Sequence, residues 1–195
     1  MWDERYQGED FVYGTEPNDF LRSQIDYLPT GRILCLAEGE GRNAVFLAEQ
    51  GFIVTAVDQS SVGLSKAERL AAQRGVRLET VVADLAGFHI DPESWDGIVS
   101  IFAHTPPLAR RRIHRQVAGG LKPGGVFVLE AYRPEQLQYK TGGPPVAEMM
   151  MDLNGLRDEL VGLDFEYAEE VVREIQEGPL HHGRGAVVQL RARKP

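Results

Sequence analysis

A glycine-rich turn that carries two acidic side chains is the stretch whose residue types and spacing most clearly predict chemistry. In LCLAEGEGRNAVFLAEQG (34–51), an apolar run leads into Gly39 and Gly41, and Ala44 takes the last position of a G-x-G-x-x-G/A spacing. Glycine lets the backbone approach a ligand closely, because a Cβ would stand in the way. A turn of this kind between a strand and a helix is typical of nucleotide-binding sites, and a structural turn without a ligand is the alternative.

The charges of the turn bear on which nucleotide it binds. Asp58 lies about 20 residues after Gly39, at the end of the next predicted strand, where a carboxylate accepts hydrogen bonds from ribose hydroxyls. A dinucleotide would place its pyrophosphate against Glu38 and Glu40, and two like charges about 5 Å apart repel by roughly 3 kcal/mol at an effective dielectric near 20. Arg42 could offset only part of this. The sulfonium and ammonium groups of S-adenosylmethionine outweigh its carboxylate, so the acidic turn favours that cation over NAD.

Short apolar runs that alternate with helical patterns must position this turn. The runs predict strands at 32–37, 52–58, 77–84, 96–103 and 125–132, and the intervening patterns predict helices at 42–50, 61–74 and 107–121. Nearly continuous apolar strands between helices indicate a parallel sheet that is covered on both faces. With right-handed crossovers, the expected fold is α/β, a Rossmann-like doubly wound sheet.

The pattern changes after the fifth strand. Residues 133–152 are polar and rich in turn formers, which predicts a long binding loop or lid. Residues 153–163 have apolar positions at helical spacing. The stretches 165–175 and 185–194 predict two strands joined by QEGPLHHGR, an antiparallel hairpin at the sheet edge.

These elements predict a single domain with three parts. Residues 1–30, rich in aromatic side chains, form an N-terminal lid or cap. Residues 31–132 form the cofactor-binding core, and residues 133–195 supply the substrate loop, a helix and the terminal hairpin. A length of 195 residues agrees with one domain.

Composition and charge exclude several classes of partner. The formal net charge of −8 disfavours a nucleic acid, and the basic cluster at 109–115 is interpreted as a solvated helix face. The sequence has neither a secretory signal pattern nor an apolar stretch approaching the ~20 residues that span a bilayer, so we expect no membrane partner and a cytoplasmic location. Cys35, the single cysteine, is expected to be a small core residue. Oligomeric state is left open.

The order of elements and several motifs resemble the class I S-adenosylmethionine-dependent methyltransferases over nearly the whole chain. More narrowly, WDERYQGEDFVYGTEPNDFL, GEGRNAVFLAEQGFIVTAVDQS and EGPLHHGRGAVVQL resemble small tellurite-resistance and thiopurine methyltransferase-like enzymes. The resemblance implies a mostly parallel seven-stranded sheet with a C-terminal antiparallel hairpin. It also implies S-adenosylmethionine as cofactor and a small-molecule methyl acceptor, for example a thiol or a chalcogen oxyanion such as tellurite.

The resemblance places the cofactor contacts in the lid, the glycine turn and the ends of the second, third and fourth strands. The implied cofactor-binding residues are Tyr13, Gly14, Glu38, Gly39, Gly41, Asn43, Asp58, Gln59, Asp84, Leu85, Ile101 and Phe102. The glycines would pass under the methionine part and the ribose. The three strand ends would contact the ribose, the adenine edge and the region beneath the sulfonium, respectively.

Two of these positions have particular alternatives. The family loop has an acidic residue where this chain has Cys35 and a glycine where it has Ala37, and we expect Glu38 to replace the missing carboxylate and hold the ammonium group, directly or through water. Asp84 either contacts the adenine or only caps a following helix.

Methyl transfer is an in-line displacement in which orientation alone can contribute roughly 7–11 kcal/mol, so no catalytic triad is required. On the acceptor side, His104 is a candidate base or orienting group, with a strand-end cap as the alternative. Arg133 is a candidate to neutralise an anionic acceptor, or it faces water. Tyr132 is a further candidate on that side. His181 and His182 are as readily explained as exposed hairpin residues, and no metal is expected there.

Two other functions are kept as alternatives. A protein that binds S-adenosylmethionine without transferring methyl groups would also account for the altered loop. An NAD(P)-dependent oxidoreductase agrees less well, because of the acidic turn, the terminal hairpin and the missing second mononucleotide-binding half.

Overall fold

The computed structural model describes residues 2–178 and 181–195. Seven strands form one sheet in the order β3-β2-β1-β4-β5-β7-β6. The strands are β1 Arg32–Leu36, β2 Ile53–Asp58, β3 Glu79–Val82, β4 Trp95–Ile101, β5 Leu121–Tyr132, β6 Asp164–Gln176 and β7 His182–Arg193. The first five are parallel neighbours, and β7 pairs antiparallel with both β5 and β6. The predicted α/β, Rossmann-like sheet with its antiparallel C-terminal hairpin is confirmed.

Six α-helices accompany the sheet within the described residues. They are α1 Trp2–Tyr6, α2 Asp19–Gln24, α3 Arg42–Glu49, α4 Ser61–Gln73, α5 Pro107–Gly120 and α6 Leu153–Glu159. Local capping explains several helix starts: the side chain of Ser60 accepts from the Gly63 amide at α4, and that of Asp152 accepts from the Gly155 amide at α6. Pro107 begins α5, a position where its missing N–H has no helical partner to lose.

Two hydrophobic cores fix the sheet between its helices. One contains Ile113 of α5 and Leu156 of α6, together with residues of the central strands. The other contains Phe20 of α2, Leu47 of α3 and Leu64 of α4. The sheet is therefore covered on both faces, as the nearly continuous apolar character of its central strands predicts.

Some element boundaries differ from the sequence prediction. The third strand is limited to Glu79–Val82, since it lies at the sheet edge and is largely exposed. The fifth strand begins at Leu121, because Leu121 already pairs with Trp95 of β4. The register shifts between this pair and the next one, Gly97 with Val126. The predicted helix at 153–163 ends at Glu159. The hairpin turn includes residues 179 and 180, which lie outside the described residues.

The regions before and after the parallel strands come together at one end of the sheet. The long loop at 133–152 contains two short 3-10 turns, Pro134–Gln138 and Ala147–Met149. The N-terminal region is more than a lid, because α2 buries Phe20 and Leu21 in a core. Both regions border the cavity described next.

Candidate cofactor and acceptor site

A cavity of about 670 Å³ lies at the carboxyl ends of β1, β2 and β4. This is the edge at which open parallel sheets bind ligands, and the volume falls within the roughly 300–1,000 Å³ of small-molecule sites. The predicted cofactor residues other than Gly41 line it: Tyr13, Gly14, Glu38, Gly39, Asn43, Asp58, Gln59, Asp84, Leu85, Ile101 and Phe102. Their contacts with a cofactor stay predictions.

Gly41 has a packing role instead. Its φ is +90°, and a Cβ there would lie 2.4 Å from the Cβ of Ala67. Glycine is required because helices α3 and α4 approach each other at this point. Gly41 is not among the residues that line the cavity, and its expected place under the cofactor stays a prediction.

Asp58 connects the end of β2 to the glycine turn. One carboxylate oxygen accepts from the Gly39 amide at 2.8 Å and the other from the Ser60 amide at 2.8 Å. Burial raises the pKa of this carboxyl, and the backbone hydrogen bonds oppose that shift. Each carboxylate oxygen has a further lone pair, so Asp58 can hold the turn and also accept from a ribose hydroxyl.

Glu38 caps helix α3. Its Oε1 accepts from the backbone amides of Asn43 at 3.0 Å and Ala44 at 2.8 Å. Burial raises its pKa to about 7 against the lowering effect of those amides. Glu38 also lies on the cavity wall beside the buried thiol of Cys35, whose pKa is raised by its complete burial. Cys35 is a core residue, as expected.

The side chain of Glu40 has partners within the protein that the sequence did not predict. Its Oε2 accepts from the backbone amides of Val12 at 2.8 Å and Tyr13 at 3.3 Å, and its Oε1 forms an ion pair with Lys66. The charge of Glu40 is thus compensated and holds the N-terminal segment. The prediction that both glutamates would repel a pyrophosphate is wrong for Glu40.

Backbone strain coincides with the cavity. Ala37 and Phe102 have φ values of +50° and +51°, in the left-handed region that non-glycine residues rarely adopt. They follow β1 and β4, and both line the cavity. Such strain costs of order 1–3 kcal/mol and is concentrated at functional sites. At Ala37 the observed φ gives a physical reason for the glycine expected at this position.

His104 is held by backbone groups on both sides of its ring. Nδ1 lies 3.1 Å from the Phe102 carbonyl oxygen, and Nε2 accepts from the Tyr132 amide at 3.0 Å. Burial lowers its pKa to about 4, so the ring is neutral. With both nitrogens occupied, His104 has no free lone pair for a proton. The structure therefore corrects the prediction of a catalytic base and supports the strand-end cap.

Arg133 is not among the residues that line the cavity. Its Nη2 forms ion pairs with Glu135 at 3.0 Å and Glu170 at 2.9 Å. The prediction that Arg133 neutralises an acceptor at the site is wrong, because two carboxylates of its own chain already compensate its charge.

His181 is a buried cavity residue, although the sequence was interpreted as readily in terms of an exposed hairpin residue. It is 9% exposed, lines the cavity, and has its ring centroid 4.6 Å from those of Tyr13 and Phe102. Burial, followed by the charge of Arg42, lowers its pKa to about 3. His182, in contrast, is exposed. The sequence signal for this residue is the His181-His182 pair in the hairpin. The sequence does not show which of the two rings faces the cavity.

A buried polar network joins the hairpin to the glycine turn. Glu177 accepts from Arg42 Nη2 at 2.7 Å, from Arg173 Nη2 at 2.6 Å and from Asn18 Nδ2 at 2.9 Å. Glu130 accepts from the same Arg173 and Asn18 side chains. Arg42 lines the cavity and Arg173 does not.

The N-terminal segment and the 133–152 loop complete the cavity wall. Trp2, Arg5 and Tyr6 line it, and a Cβ at Gly39 would lie 2.7 Å from the Tyr6 hydroxyl oxygen. The loop contributes a proline- and glycine-rich stretch, 142–145, and Met149. The sequence predicted these segments as borders of the site without identifying the residues that face it.

Two features are absent from the described residues, 2–178 and 181–195. No helix in them combines the length and apolar character needed to cross a bilayer. No group of three or more His, Cys, Asp or Glu side chains in them is arranged to hold a metal ion.

Comparison with known proteins relates this geometry to a family. The family model described as a methyltransferase domain matches residues 33–125. The chain is 31% identical over 134 residues to a glycine/sarcosine N-methyltransferase from Halorhodospira halochloris, a match that covers 66% of this chain and 47% of that protein. The chain thus spans about half the length of this curated relative.

Solved structures share the fold. A structure concerned with the conversion of a disulfide bond into a thioacetal group during echinomycin biosynthesis has a TM-score of 0.79 at 20% identity and covers 99% of this chain and 90% of that one. A S-adenosylmethionine-dependent methyltransferase from Methanosarcina mazei has a TM-score of 0.65 at 19% identity and covers 92% and 98%. These matches support a class I S-adenosylmethionine-dependent methyltransferase and imply that cofactor. They do not confirm the tellurite-resistance or thiopurine subgroup.

Proposed function

Taking the class I S-adenosylmethionine-dependent methyltransferase fold as the premise, we propose that this protein transfers a methyl group from S-adenosylmethionine to a small-molecule acceptor. One observation carries the proposal. A single cavity joins the predicted cofactor residues at the ends of β1, β2 and β4 to an acceptor side formed by His181 and Met149. A donor and an acceptor can therefore meet in one cavity.

The cavity residues fit the cofactor chemically. Asp58 presents carboxylate lone pairs to ribose hydroxyls, and Gly39 gives backbone access where a Cβ would meet Tyr6. Glu38 lies where it can compensate an ammonium group, and the exposed Asp84 borders the cavity next to buried Leu85. The side chain of Asp84 also accepts from the Ala86 amide at 2.9 Å in a turn, with no helix following, so a turn-forming role and an adenine contact are compatible.

The chain's own residues supply positioning and exclusion of water. When bound, S-adenosylmethionine supplies an electrophilic methyl group on a sulfonium. Phe102, Tyr13 and His181 form an aromatic wall around the acceptor side. The neutral imidazole of His181 can accept a hydrogen bond from an acceptor N–H, or donate its ring N–H to a thiolate, and so orient the nucleophile. His181 is a positioning residue in this proposal.

Two classes of acceptor are proposed for testing. The sequence resemblance favours a thiol or a chalcogen oxyanion such as tellurite. The curated relative is a glycine/sarcosine N-methyltransferase, which favours a small amine. A hydrogen-bond acceptor as weakly basic as His181 agrees better with an amine that arrives uncharged or a thiol that arrives ionised than with a nucleophile that requires a strong base.

The test is methyl transfer from radiolabelled S-adenosylmethionine to a panel of glycine, sarcosine, small thiols, selenite and tellurite. Label in one class of product, reduced at low acceptor concentration in His181→Ala but not in His182→Ala, would support the proposal and identify the class. His182 is the matched control because it is the exposed neighbour of the same hairpin. A protein that does not bind S-adenosylhomocysteine by calorimetry would refute it.

A second candidate function is a protein that binds S-adenosylmethionine without transferring methyl groups. The observation that favours it is the loss of both predicted catalytic groups: His104 is bonded through both ring nitrogens and Arg133 is paired outside the cavity. Firm binding of S-adenosylhomocysteine with no labelled product from any acceptor would favour this candidate.

A further inference from the structure

Arg42 is the buried cation of the cofactor cavity. Among the described residues that line it, Arg42 and Arg5 are the two arginines, and Arg5 is exposed. The side chain of Arg42 is only 7% exposed. Its Nη2 donates to Glu177, whereas its Nη1 is buried and has no hydrogen-bond acceptor within the described residues. Guanidinium donors left unpaired in a protein interior are rare, because each loses its hydration without compensation.

Arg42 does not have a carboxylate to itself. Its partner Glu177 is shared, since the other carboxylate oxygen accepts from Arg173 and Asn18. The effect reaches His181: Arg42 lowers the pKa of that imidazole more strongly than Glu177 raises it. At the hairpin end of the cavity, Arg42 Nη1 is a donor that no acceptor of the described residues occupies.

The acidic residues of the glycine turn do not accept a hydrogen bond from this guanidinium, although its charge lowers the pKa of Glu38. Glu40 is paired with Lys66, and Glu38 accepts from the amides that begin α3. A hydrogen-bond acceptor on a ligand is thus the missing partner of Arg42 Nη1. Guanidinium groups recognise carboxylates and other planar oxyanions with paired hydrogen bonds, more strongly than neutral acceptors.

We propose that Arg42 is a specificity-determining residue that selects a carboxylate, or a comparable oxyanion, at the hairpin end of the cavity. The inference rests on the proposed function. Two ligands could supply the group: the methionine part of the cofactor or the methyl acceptor. In both cases the same guanidinium, already held by Glu177, receives the anion, so little side-chain ordering accompanies binding.

The first arm of the test concerns the cofactor. Calorimetry compares S-adenosylhomocysteine with its decarboxylated analogue, which keeps the amine and lacks the carboxylate. If the cofactor supplies the anion, the wild type binds the parent compound roughly ten- to a hundred-fold more tightly, as a charge-assisted hydrogen bond predicts. Arg42→Gln then loses this preference, and Arg42→Lys, which keeps the charge but not the fork, retains part of it.

The second arm concerns the acceptor. The protein saturated with S-adenosylhomocysteine is titrated with sarcosine and with sarcosine methyl ester, which differ in the carboxylate. If the acceptor supplies the anion, the wild type binds sarcosine and not the ester, and Arg42→Gln binds neither. The preference between the two cofactor compounds is then absent in both proteins.

Arg115→Gln is the matched control, since it removes the same charge from an exposed position on α5. Thermal unfolding checks that each variant is folded. If Arg42→Gln does not fold, the ligand preferences of the wild type decide the outcome. A wild type that shows neither preference, or preferences that Arg42→Lys and Arg42→Gln leave unchanged, would overturn the inference. Absence of any S-adenosylhomocysteine binding would instead refute the proposed function, so the two failures are distinguishable.

Discussion

Glu40 and Lys66 form a buried ion pair that fastens the N-terminal segment over the cofactor cavity. Glu40 accepts from the backbone amides of residues 12 and 13, while the Lys66 ammonium donates to the carbonyl oxygens of residues 6, 8 and 10 at 3.4, 3.0 and 2.6 Å. One pair of side chains thus satisfies five backbone groups of a segment that has little regular structure of its own beyond α1.

We expect Glu40→Gln to release this segment. The substitution leaves the Lys66 ammonium buried without its counter-charge, which costs about 3–5 kcal/mol in comparable buried pairs. Urea denaturation should show that loss, and amide hydrogen exchange should become faster at residues 6–13. Glu16→Gln, in an exposed pair with Arg22, is the control and should change little. Unchanged exchange at residues 6–13 in Glu40→Gln would contradict the role of the pair.

The contact between the lid and the terminal hairpin is tested by Gly178→Ala. A Cβ at Gly178 would lie 2.4 Å from the carbonyl carbon of Tyr13, so alanine must push the lid away from the cavity. We expect S-adenosylhomocysteine affinity to fall at least about ten-fold, equivalent to about 1.4 kcal/mol. Gly75→Ala is the control: its φ of +72° is comparably strained, but a Cβ there meets nothing within 4 Å. Equal effects of the two substitutions on affinity would show that the contact does not matter.

Glu38 predicts a dependence of stability on pH. Burial raises its pKa from 4.5 to about 7 in the folded protein. Because the folded pKa is the higher one, the contribution of Glu38 to the free energy of unfolding is complete below pH 4.5 and is lost as the pH rises through about 7. The stability difference between wild type and Glu38→Gln should therefore shrink over that range, and denaturation at several pH values measures it.

Glu148→Gln, at an exposed position, is the control for this titration and should show no such slope. If Glu38 holds the ammonium group, ligand binding favours its ionised form. S-adenosylhomocysteine should then bind more tightly at pH 8 than at pH 6, with proton release that Glu38→Gln abolishes. Affinity that is independent of pH in the wild type would argue against this contact.

The two cavity histidines are predicted to act differently. His104→Ala removes the acceptor of the Tyr132 amide and should destabilise the protein by about 1–3 kcal/mol. His181→Ala should mainly weaken acceptor binding, visible as a raised KM. Because the pKa values of both rings are low, about 4 and about 3, neither should produce a limb near pH 6.5 in the rate profile. A limb there that His181→Ala removes would contradict a neutral positioning role.

The sequence was sufficient for the frame of the site. Apolar runs alternating with helical patterns predicted the parallel strands, and the turns that follow these strands placed Gly39, Asp58 and Asp84 at one edge of the sheet. This succeeded because strand and helix periodicity are local properties, and because the carboxyl ends of parallel strands always share an edge.

The direction and partner of each polar side chain were decided only by the tertiary structure. Glu40 was assigned to the ligand but pairs with Lys66, and His104 was assigned to catalysis but is bonded to the backbone of β5. Arg42 finds Glu177 at a separation of 135 residues along the chain. Such partners are brought together by packing across the sheet, and local pattern contains no information about them. Residue types and periodicity thus determined where a ligand can bind. Long-range packing determined which polar side chains are paired within the chain and which are left to bind the ligand.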